Sequence, residues 1–253
     1  MATFVIVPGG CTPSTLFQDF CALAHAQEVA VVAVQLPAVG RRLGQPAPRL
    51  GDDVRAIRQV AEPLLDQGHE VIVVTSSLGG VAGTQCLEYL SSAARASRGL
   101  QGGVNKIVYV TSMILEVNTS PMDYFGEHPP PFMNITDDIE YIEWTDEIDD
   151  GTTTFSDLPA EEAKQHRAKM EKFHSRYSFE DRLTYPGYED VEVHYVLCED
   201  DHVLTKEAQL GSIETLRRHA GREVRVHPIP AGHLPFVSRP VETLQILRAI
   251  AAT

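Results

Sequence analysis

Short runs of β-branched and apolar residues alternate along the chain with segments of helical periodicity. The predicted strands are mostly continuous apolar runs, which is typical of strands buried on both faces of a sheet. They cover residues 4–7, 29–34, 70–75, 106–112, 192–197 and 223–229. Helical periodicity lies between and after them, at about 14–26, 52–67, 80–94, 206–219 and 240–251. This alternation predicts βαβ crossovers and an α/β fold, with a mostly parallel six-stranded sheet flanked by helices.

The alternation is interrupted between the fourth and fifth predicted strands. Residues 116–190 contain three consecutive prolines and an acidic run that predicts loops and turns, and no strand is predicted there. A helix is predicted to begin near Asp157, with that residue as its cap, and to continue through Phe173. A long insert after a strand of an open α/β sheet lies over the edge where such sheets bind ligands. We therefore predict a lid at 116–190 on a core formed by 1–115 and 191–253; a surface insert without a functional role is the alternative.

Charge is distributed unevenly along the 253 residues, whose formal net charge is −14. Residues 116–181 hold 17 acidic and 5 basic side chains, a net charge of −12, whereas the rest of the chain holds 18 and 16. The predicted lid is therefore strongly acidic and the predicted core is nearly neutral. Proteins that bind nucleic acid usually present a basic face, so a nucleic-acid partner is disfavoured.

Cysteine spacing and hydropathy indicate the cellular compartment in which the protein is expected. The four cysteines are widely spaced, without a C-x-x-C pair, which disfavours both a disulfide framework and a zinc finger. The first residues lack the basic region of a signal peptide, and no stretch approaches the roughly 18 apolar residues that a membrane span needs. We therefore expect a cytoplasmic protein with reduced thiols and no membrane partner.

No cofactor or metal is predicted. Gly79-Gly80 lacks the spacing of a phosphate-binding loop, and Asp201-His202 lacks the helix-face spacing of metal ligands. The expected partner is a small-molecule substrate. The sequence leaves the oligomeric state open, and a homodimer is one of the arrangements it allows.

A serine lies where the third predicted strand runs into a helix. Ser77 is flanked by the small residues Thr75, two positions before it, and Gly79, two positions after it. This spacing is typical of a nucleophile elbow, in which a tight strand-to-helix turn exposes a serine. Ser76 is the alternative nucleophile. It is disfavoured because Leu78 would then stand two positions on, where a branched side chain would crowd the turn.

A glycine turn follows the first predicted strand directly, at Pro8-Gly9-Gly10-Cys11. Such a turn can aim a backbone N–H at the space above the elbow, and the helix that begins after Ser77 offers another N–H with a positive dipole end. Gly10 and Leu78 are therefore the candidate donors of an oxyanion hole. An ordinary glycine loop is the alternative.

Candidate acids and bases follow the last two predicted strands. Glu199, Asp200, Asp201 and His202 follow the fifth strand, and His233 lies in a Gly-His-Leu-Pro turn after the sixth. A serine hydroxyl becomes a good nucleophile when a histidine takes its proton, and the histidine needs a carboxylate to fix its tautomer. His233 is the expected base, and His202 is disfavoured because it adjoins the acids. The residues alone leave the three acids open.

Together these motifs resemble the α/β-hydrolase superfamily, and in particular microbial members of its hydroxynitrile lyase and methyl-salicylate esterase type. The resemblance covers essentially the whole chain. Besides the elbow and the Gly-His turn, it includes Leu36-Pro37-Ala38-Val39-Gly40, Asp52-Asp53-Val54, the helix start at 157–163, and residues 195–201 with Gln209. It implies an α/β-hydrolase fold with an inserted helical lid, and a catalytic triad of Ser77, Asp201 and His233.

The chain departs from the family pattern at the oxyanion turn and after the histidine. The family often has His-Gly where this chain has Pro8-Gly9, and Gly-His or Met-His where it has Thr75-Ser76. Family members that resemble plant hydroxynitrile lyases carry a threonine at the position of Gly9 and a lysine at the position of Leu234. The charge of that lysine stabilises cyanide as it leaves, and leucine cannot supply such a cation.

The resemblance therefore implies a serine hydrolase that cleaves a small to medium, largely apolar carboxylic ester or lactone through an acyl-enzyme. Two alternatives stay open. One is a non-hydrolytic enzyme of the same fold, such as a lyase or a secondary-metabolite tailoring or cyclising enzyme. The other is a ligand receptor that keeps a hydrolase pocket.

The substrate pocket is expected to be mostly apolar and to be lined partly by aromatic residues of the predicted lid. About half of these aromatics are expected to pack the lid onto the core instead. The acidic lid favours a neutral or cationic ester over an anionic one. The candidate substrate-binding residues are Gly9, Cys11, Tyr124, Phe125, Phe132, Trp144, Phe155 and Leu234.

Overall fold

The computed structural model describes residues 2–126 and 134–253 of the chain. Its strands in this part of the chain are β1 (Ala2–Val7), β2 (Ala30–Ala33), β3 (Glu70–Ser76), β4 (Lys106–Val110), β5 (Asn134–Ile135), β6 (Tyr141–Glu143), β7 (Phe173–Ser175), β8 (Glu192–Cys198) and β9 (Val224–Ile229). Six of them form one sheet in the order β2-β1-β3-β4-β8-β9, and every neighbouring pair is parallel. The predicted six-stranded sheet is confirmed.

Helices cover both faces of this sheet. The helices of the described ranges are α1 (Gln18–Ala26), α2 (Leu50–Asp66), α3 (Gly79–Leu90), α4 (Ser92–Ala96), α5 (Pro121–Phe125), α6 (Ala160–Arg167), α7 (Tyr177–Glu180), α8 (Lys206–His219), α9 (Pro235–Ser238) and α10 (Pro240–Ala251), of which α5, α6 and α7 belong to the segment between β4 and β8. Apolar residues of α2, α3 and α8 form one buried cluster with the sheet, and those of α1, α9 and α10 form the other. Central strands such as β4 are therefore apolar at nearly every position, because both of their faces are buried.

The predicted helix at 80–94 is divided into α3 and α4. The division falls at Ser91, whose backbone leaves the helical region at φ −59° and ψ 150°. Its hydroxyl accepts a hydrogen bond from the N–H of Ala94 at 3.2 Å, so the serine caps the second helix. A hydroxyl that caps a helix start stabilises that start, which explains the break in an otherwise continuous periodicity.

The segment between β4 and β8 contains a second, antiparallel sheet in the order β5-β6-β7, so the prediction that it has no strand is wrong. These strands have two or three residues each, which is too short to show an alternating pattern in the sequence. The sheet docks on the loop after β2, where the N–H of Gly40 donates to Phe173 O at 2.9 Å and that of Ser175 to Ala38 O at 2.8 Å.

The helix of this segment is shorter than predicted. α6 ends at Arg167, and Phe173 belongs to β7 rather than to the helix. The helix is preceded by Pro159, and Asp157 does not cap it. The Asp157 carboxylate is instead buried 3.3 Å from the guanidinium of Arg239, so a tertiary ion pair takes the place of a local cap.

No helix in the two described ranges combines the length and the apolar character needed to cross a membrane. All four cysteines are free thiols, and three of them are buried. Whether residues 116–190 act as a lid stays a prediction.

Candidate active site

Ser77 lies on a strained turn immediately after β3. Its φ is +52°, in the left-handed region that residues other than glycine seldom adopt. Three backbone hydrogen bonds hold the turn: Ser77 N–H donates to Val110 O at 3.2 Å, and its carbonyl accepts from Gly80 at 3.0 Å and from Met113 at 3.1 Å. The end of β4 therefore fixes the conformation that the elbow motif predicts.

Close backbone packing explains the glycines around this serine. A Cβ on Gly79 would lie 2.3 Å from the carbonyl oxygen of Pro8, and a Cβ on Gly9 would lie 2.8 Å from Cβ of Ser77. Only glycine fits at either position. The alternative nucleophile, Ser76, is fully buried in the sheet with its hydroxyl unpartnered, and it does not line the cavity beside Ser77.

His233 and Asp201 form a buried pair. His233 Nδ1 lies 2.7 Å from Asp201 Oδ2, and the two side chains are 7% and 0% exposed. The other carboxylate oxygen accepts hydrogen bonds from the N–H groups of Val203 at 2.8 Å and Leu204 at 2.9 Å. A buried charge is tolerated when it is paired and hydrogen-bonded, as this one is.

The other candidate acids and base lie elsewhere. Glu199, Asp200 and His202 are all exposed. Glu199 pairs with Lys206 at 2.8 Å, on the surface. Of the three acids that the sequence leaves open, Asp201 is therefore the one in contact with His233.

Ser77 and His233 line one cavity of about 80 Å³. Thirteen residues line it: Gly10, Thr12, Ser77, Leu78, Met113, Phe125, Trp144, Thr154, Met170, Phe179, Val203, Leu204 and His233. Among these lining residues there is no aspartate, glutamate, lysine or arginine. A larger groove of about 700 Å³ opens between α2 and α3, but Ser77 and His233 are not among its lining residues. The smaller cavity is the candidate active site because reactive groups converge on it.

Gly10 and Leu78 both line this cavity. No hydrogen bond within the described residues uses the N–H of either residue. Two backbone donors are therefore available beside Ser77, which is the requirement for an oxyanion hole.

Some of the candidate substrate-binding residues line the cavity and others lie elsewhere. Phe125 and Trp144 line the cavity. Tyr124 does not line it: its ring lies edge-on to that of Phe125, with centroids 5.6 Å apart, and its hydroxyl donates to Ala208 O at 3.3 Å. Phe155 and Leu234 are buried in the core cluster of α1 and α10. Phe132 lies outside the described residues.

Gly9 and Cys11 flank the cavity without lining it. Gly9 packs against Ser77, as described above, and Cys11 is buried with its N–H donated to His174 Nδ1 at 3.2 Å. Burial raises the pKa of the Cys11 thiol to about 12, so this thiol stays protonated and is a poor nucleophile.

Seven lining residues are absent from the sequence-based prediction: Thr12, Met113, Thr154, Met170, Phe179, Val203 and Leu204. Met113, Val203 and Leu204 follow the carboxyl ends of β4 and β8, where ligands of parallel sheets bind, so the predicted strand ends could have identified them. Thr154, Met170 and Phe179 come from the segment between β4 and β8, where no motif marks them.

Among the described residues, no group of three or more histidine, cysteine, aspartate or glutamate side chains could hold a metal ion. The polar groups of the cavity can be described from its lining residues. Besides the side chains of Thr12, Trp144 and Thr154, they are the Ser77 hydroxyl, an imidazole paired with a carboxylate, and two available N–H groups.

The chain belongs to the alpha/beta hydrolase family, whose model matches residues 4–246. This family assignment agrees with the parallel sheet and with the turn that carries Ser77. The expected superfamily is thereby confirmed.

Among particular proteins, the chain is similar to the protein named "Probable hydrolase R7" of Phoma sp., at 32% identity over 252 residues that cover 98% of this chain and 97% of that protein. It is also similar in structure to polyneuridine aldehyde esterase, with a TM-score of 0.77, 19% identity and 99% of both chains covered. A pyrethroid hydrolase from Sphingobium faniae has a TM-score of 0.72 and 17% identity, with 100% of this chain and 98% of that chain covered. The two solved structures support the fold.

Proposed function

We propose that this protein is a serine hydrolase that cleaves a small to medium, largely apolar carboxylic ester or lactone. One observation carries the proposal: Ser77, on its strained turn, shares an apolar cavity with the His233–Asp201 pair and with two available N–H groups. The similarity to the protein of Phoma sp. named a probable hydrolase supports the same class of reaction, and the fold is shared with polyneuridine aldehyde esterase.

The proposed reaction is acyl transfer. Because Nδ1 of His233 is bonded to Asp201, Nε2 is the nitrogen that accepts the proton of Ser77 as its oxygen attacks the carbonyl carbon. The N–H groups of Gly10 and Leu78 stabilise the negative oxygen of the tetrahedral intermediate. The imidazolium then protonates the leaving alkoxide. Water, activated by the same histidine, attacks the acyl-enzyme and releases the acid and free Ser77.

The cavity favours hydrolysis over cyanohydrin cleavage. Its described lining contains no lysine or arginine, and Leu234 is buried in the core rather than facing the site. A leaving cyanide would therefore find no cation beside it. We assign the chain to the esterase-like side of the hydroxynitrile lyase and methyl-salicylate esterase group, with residues 116–190 serving as the lid of the pocket.

The test compares two neighbouring serines. Ser77→Ala is expected to abolish both labelling by a fluorophosphonate probe and hydrolysis of p-nitrophenyl acetate, with kcat falling by on the order of 10⁴-fold or more. Ser76→Ala is the matched control, since it removes a buried hydroxyl that has no partner, and it should retain both signals. Labelling that persists in Ser77→Ala, or a wild-type protein that binds esters without being labelled, would contradict the proposal.

A further inference from the structure

A second, much smaller cavity adjoins the candidate active site. Its volume is about 10 Å³, and its walls include Pro8, Gly9, Leu78 and Gly79. These residues belong to the two turns that carry the candidate oxyanion donors. Ser77 and His233 do not line this cavity, so it lies beside the reacting groups rather than among them.

Besides four further apolar side chains, three buried polar ones also line it: Asp53, His174 and Ser178, which are 3%, 1% and 6% exposed. Nε2 of His174 and the hydroxyl of Ser178 have no hydrogen-bond partner in the described structure. Asp53 accepts one hydrogen bond, from the N–H of Ala38 at 3.0 Å, which leaves further lone pairs on its carboxyl group. Buried polar atoms are seldom left unpaired in native proteins.

The volume of this cavity limits what it can bind. A cavity of roughly 10–15 Å³ accepts one water molecule and nothing larger, and internal waters typically bond to about three polar groups that are otherwise unsatisfied. The three side chains around this cavity supply that number of partners.

The other ring nitrogen of His174 contacts the oxyanion turn. Nδ1 accepts a hydrogen bond from the N–H of Cys11 at 3.2 Å, so in a neutral ring the proton is on Nε2 and that nitrogen is a donor. Burial lowers the pKa of His174 to about 3, which keeps the ring neutral at physiological pH.

Cys11 is held on its other side as well. Its carbonyl accepts a hydrogen bond from the N–H of Glu171 at 2.9 Å, and its φ is +54°, a conformation that residues other than glycine adopt only when their surroundings hold them. His174 and Glu171 thus fix both sides of Cys11. The orientation of the preceding residue, Gly10, follows from this clamp.

We infer that the small cavity binds one water molecule, which accepts a hydrogen bond from His174 Nε2–H and bonds to Ser178 and Asp53, and that His174 is a positioning residue for the Gly10 oxyanion donor. The water and the Cys11 N–H thus bond to the two nitrogens of the ring, and the ring holds the turn. The positioning role rests on the proposed function; the water site does not depend on it.

Two measurements on the wild-type protein test the water site. A crystal structure at a resolution that defines waters should show one within hydrogen-bond distance of His174 Nε2 and Ser178 Oγ. NMR of protein with ¹⁵N-labelled histidine should show the Nε2–H tautomer for His174. Absence of density in the cavity, or the Nδ1–H tautomer, would overturn the inference.

Kinetics of two His174 variants test the positioning role. His174→Phe keeps a ring against Phe179, whose centroid lies 5.7 Å away, but cannot accept from Cys11. Its kcat for p-nitrophenyl acetate should fall at least about 10-fold with KM nearly unchanged, because oxyanion donors act on the transition state. His174→Asn places an acceptor near the position of Nδ1 and should recover most of the kcat.

The outcomes separate the two proposals. An unchanged kcat in His174→Phe, or equal losses in the Phe and Asn variants, would overturn the positioning role. If His174→Phe does not fold, an unimpaired Asn variant supports the role and an impaired one overturns it. A wild-type protein that fluorophosphonate does not label would refute the proposed function, and with it the positioning role, while the crystallographic water still decides the site.

Discussion

Asp201 is distinguished from the acids beside it by its contacts rather than by its sequence neighbourhood. Each of its carboxylate oxygens is bonded, one to backbone N–H groups and the other to His233, and Gln209 Nε2 lies 3.5 Å from the second oxygen. An acid in this position holds the imidazole in one tautomer and stabilises the imidazolium that forms during catalysis. The adjacent Asp200 is exposed, and its side chain is bonded neither to these backbone N–H groups nor to His233.

Asp201→Asn is therefore expected to lower kcat by on the order of 10³–10⁴-fold, since an amide can donate to Nδ1 and favour the wrong tautomer. Steady-state hydrolysis of p-nitrophenyl acetate measures this loss. Asp200→Asn, the adjacent exposed acid, is the control and should keep its activity. A similar loss in the two variants would contradict the assignment of Asp201.

Asp53 and His174 are buried on the same small cavity and titrate in opposite ways. Burial raises the pKa of Asp53 from its ordinary value of 3.8 to about 7, and burial lowers the pKa of His174 from 6.5 to about 3. Between about pH 4 and pH 6.5 the folded pair carries one proton on Asp53, and the unfolded pair carries one on the histidine. The two contributions to the pH dependence of stability therefore cancel in the wild-type protein.

Single substitutions should separate these contributions. In Asp53→Asn the unfolded histidine takes up a proton that the folded one does not. The free energy of unfolding should therefore rise with pH, by up to about 1.4 kcal/mol per unit relative to wild type. In His174→Asn the folded Asp53 holds the extra proton, so the free energy of unfolding should fall with pH at a similar rate. Urea unfolding across this pH window measures both slopes, and slopes of the same sign would contradict the prediction.

At the scale of elements, the junction of β3 and α3 depends on glycine. Gly79→Ala would bring a Cβ against the backbone of β1, because Val7 O and Pro8 O both lie within 2.5 Å of that position. We expect a loss of at least about 3 kcal/mol in the free energy of unfolding, since neither backbone can move without disturbing the sheet.

A second glycine provides the control in urea unfolding. Gly211 is exposed inside α8 and has nothing within 4 Å of its Cβ position. Gly211→Ala should raise the free energy of unfolding by up to about 1 kcal/mol, because alanine is the better helix former. If Gly79→Ala were tolerated as well as Gly211→Ala, the close approach of β1 to the elbow would be refuted.

Elements could be predicted from the sequence where local pattern and burial agree. β1, β3, β4 and β8 are mostly apolar because helices cover both faces, and the turn at Ser77 has a steric requirement that only small neighbours meet. The sheet β5-β6-β7 has no signal in the local pattern, because its strands are short and are fixed by pairing with other segments of the chain. Asp157 resembles a helix cap, and its ion pair with Arg239 depends on tertiary packing that no local pattern contains.

The same distinction holds for the site. Ser77, the acidic loop and His233 follow strand ends, so their meeting could be predicted from the order of the strands. Phe125 and Trp144 line the cavity, whereas Phe155 packs into the core. The residues around each aromatic in the sequence do not predict which of these positions it takes. Which aromatic faces the cavity depends on how the segment after β4 folds back onto the sheet.

At the scale of the whole molecule, charge is concentrated on one segment. The net charge of −12 within residues 116–181 adjoins a cavity whose described lining contains no acidic or basic side chain. Some of these acids pair with arginines of the core, as Asp181 does with Arg49 at 2.5 Å and Asp138 with Arg41. The remaining negative field disfavours the approach of anions.

A neutral ester should therefore be hydrolysed with a higher kcat/KM than a matched ester that carries a carboxylate. The ratio of the two kcat/KM values should shrink by several-fold between about 0.01 M and about 1 M salt, because the screening length falls from roughly 30 Å to roughly 3 Å. Hydrolysis assays across this range of salt measure the ratio. A ratio that does not change with salt would show that the acidic segment does not influence the substrate.

The placement of the site along the chain has a consequence for folding kinetics. Ser77 follows the third strand of the chain, whereas His233 follows β9, which is the last strand and an edge of the sheet. Parallel pairing between strands that are distant in sequence is slow, since long loops must close first. An elbow that forms early therefore remains without its base until β8 pairs with β4, from which it is distant in sequence, and β9 docks on β8. Recovery of activity after dilution from denaturant then reports the completion of the sheet. It will be slower than the recovery of helix content, which circular dichroism measures.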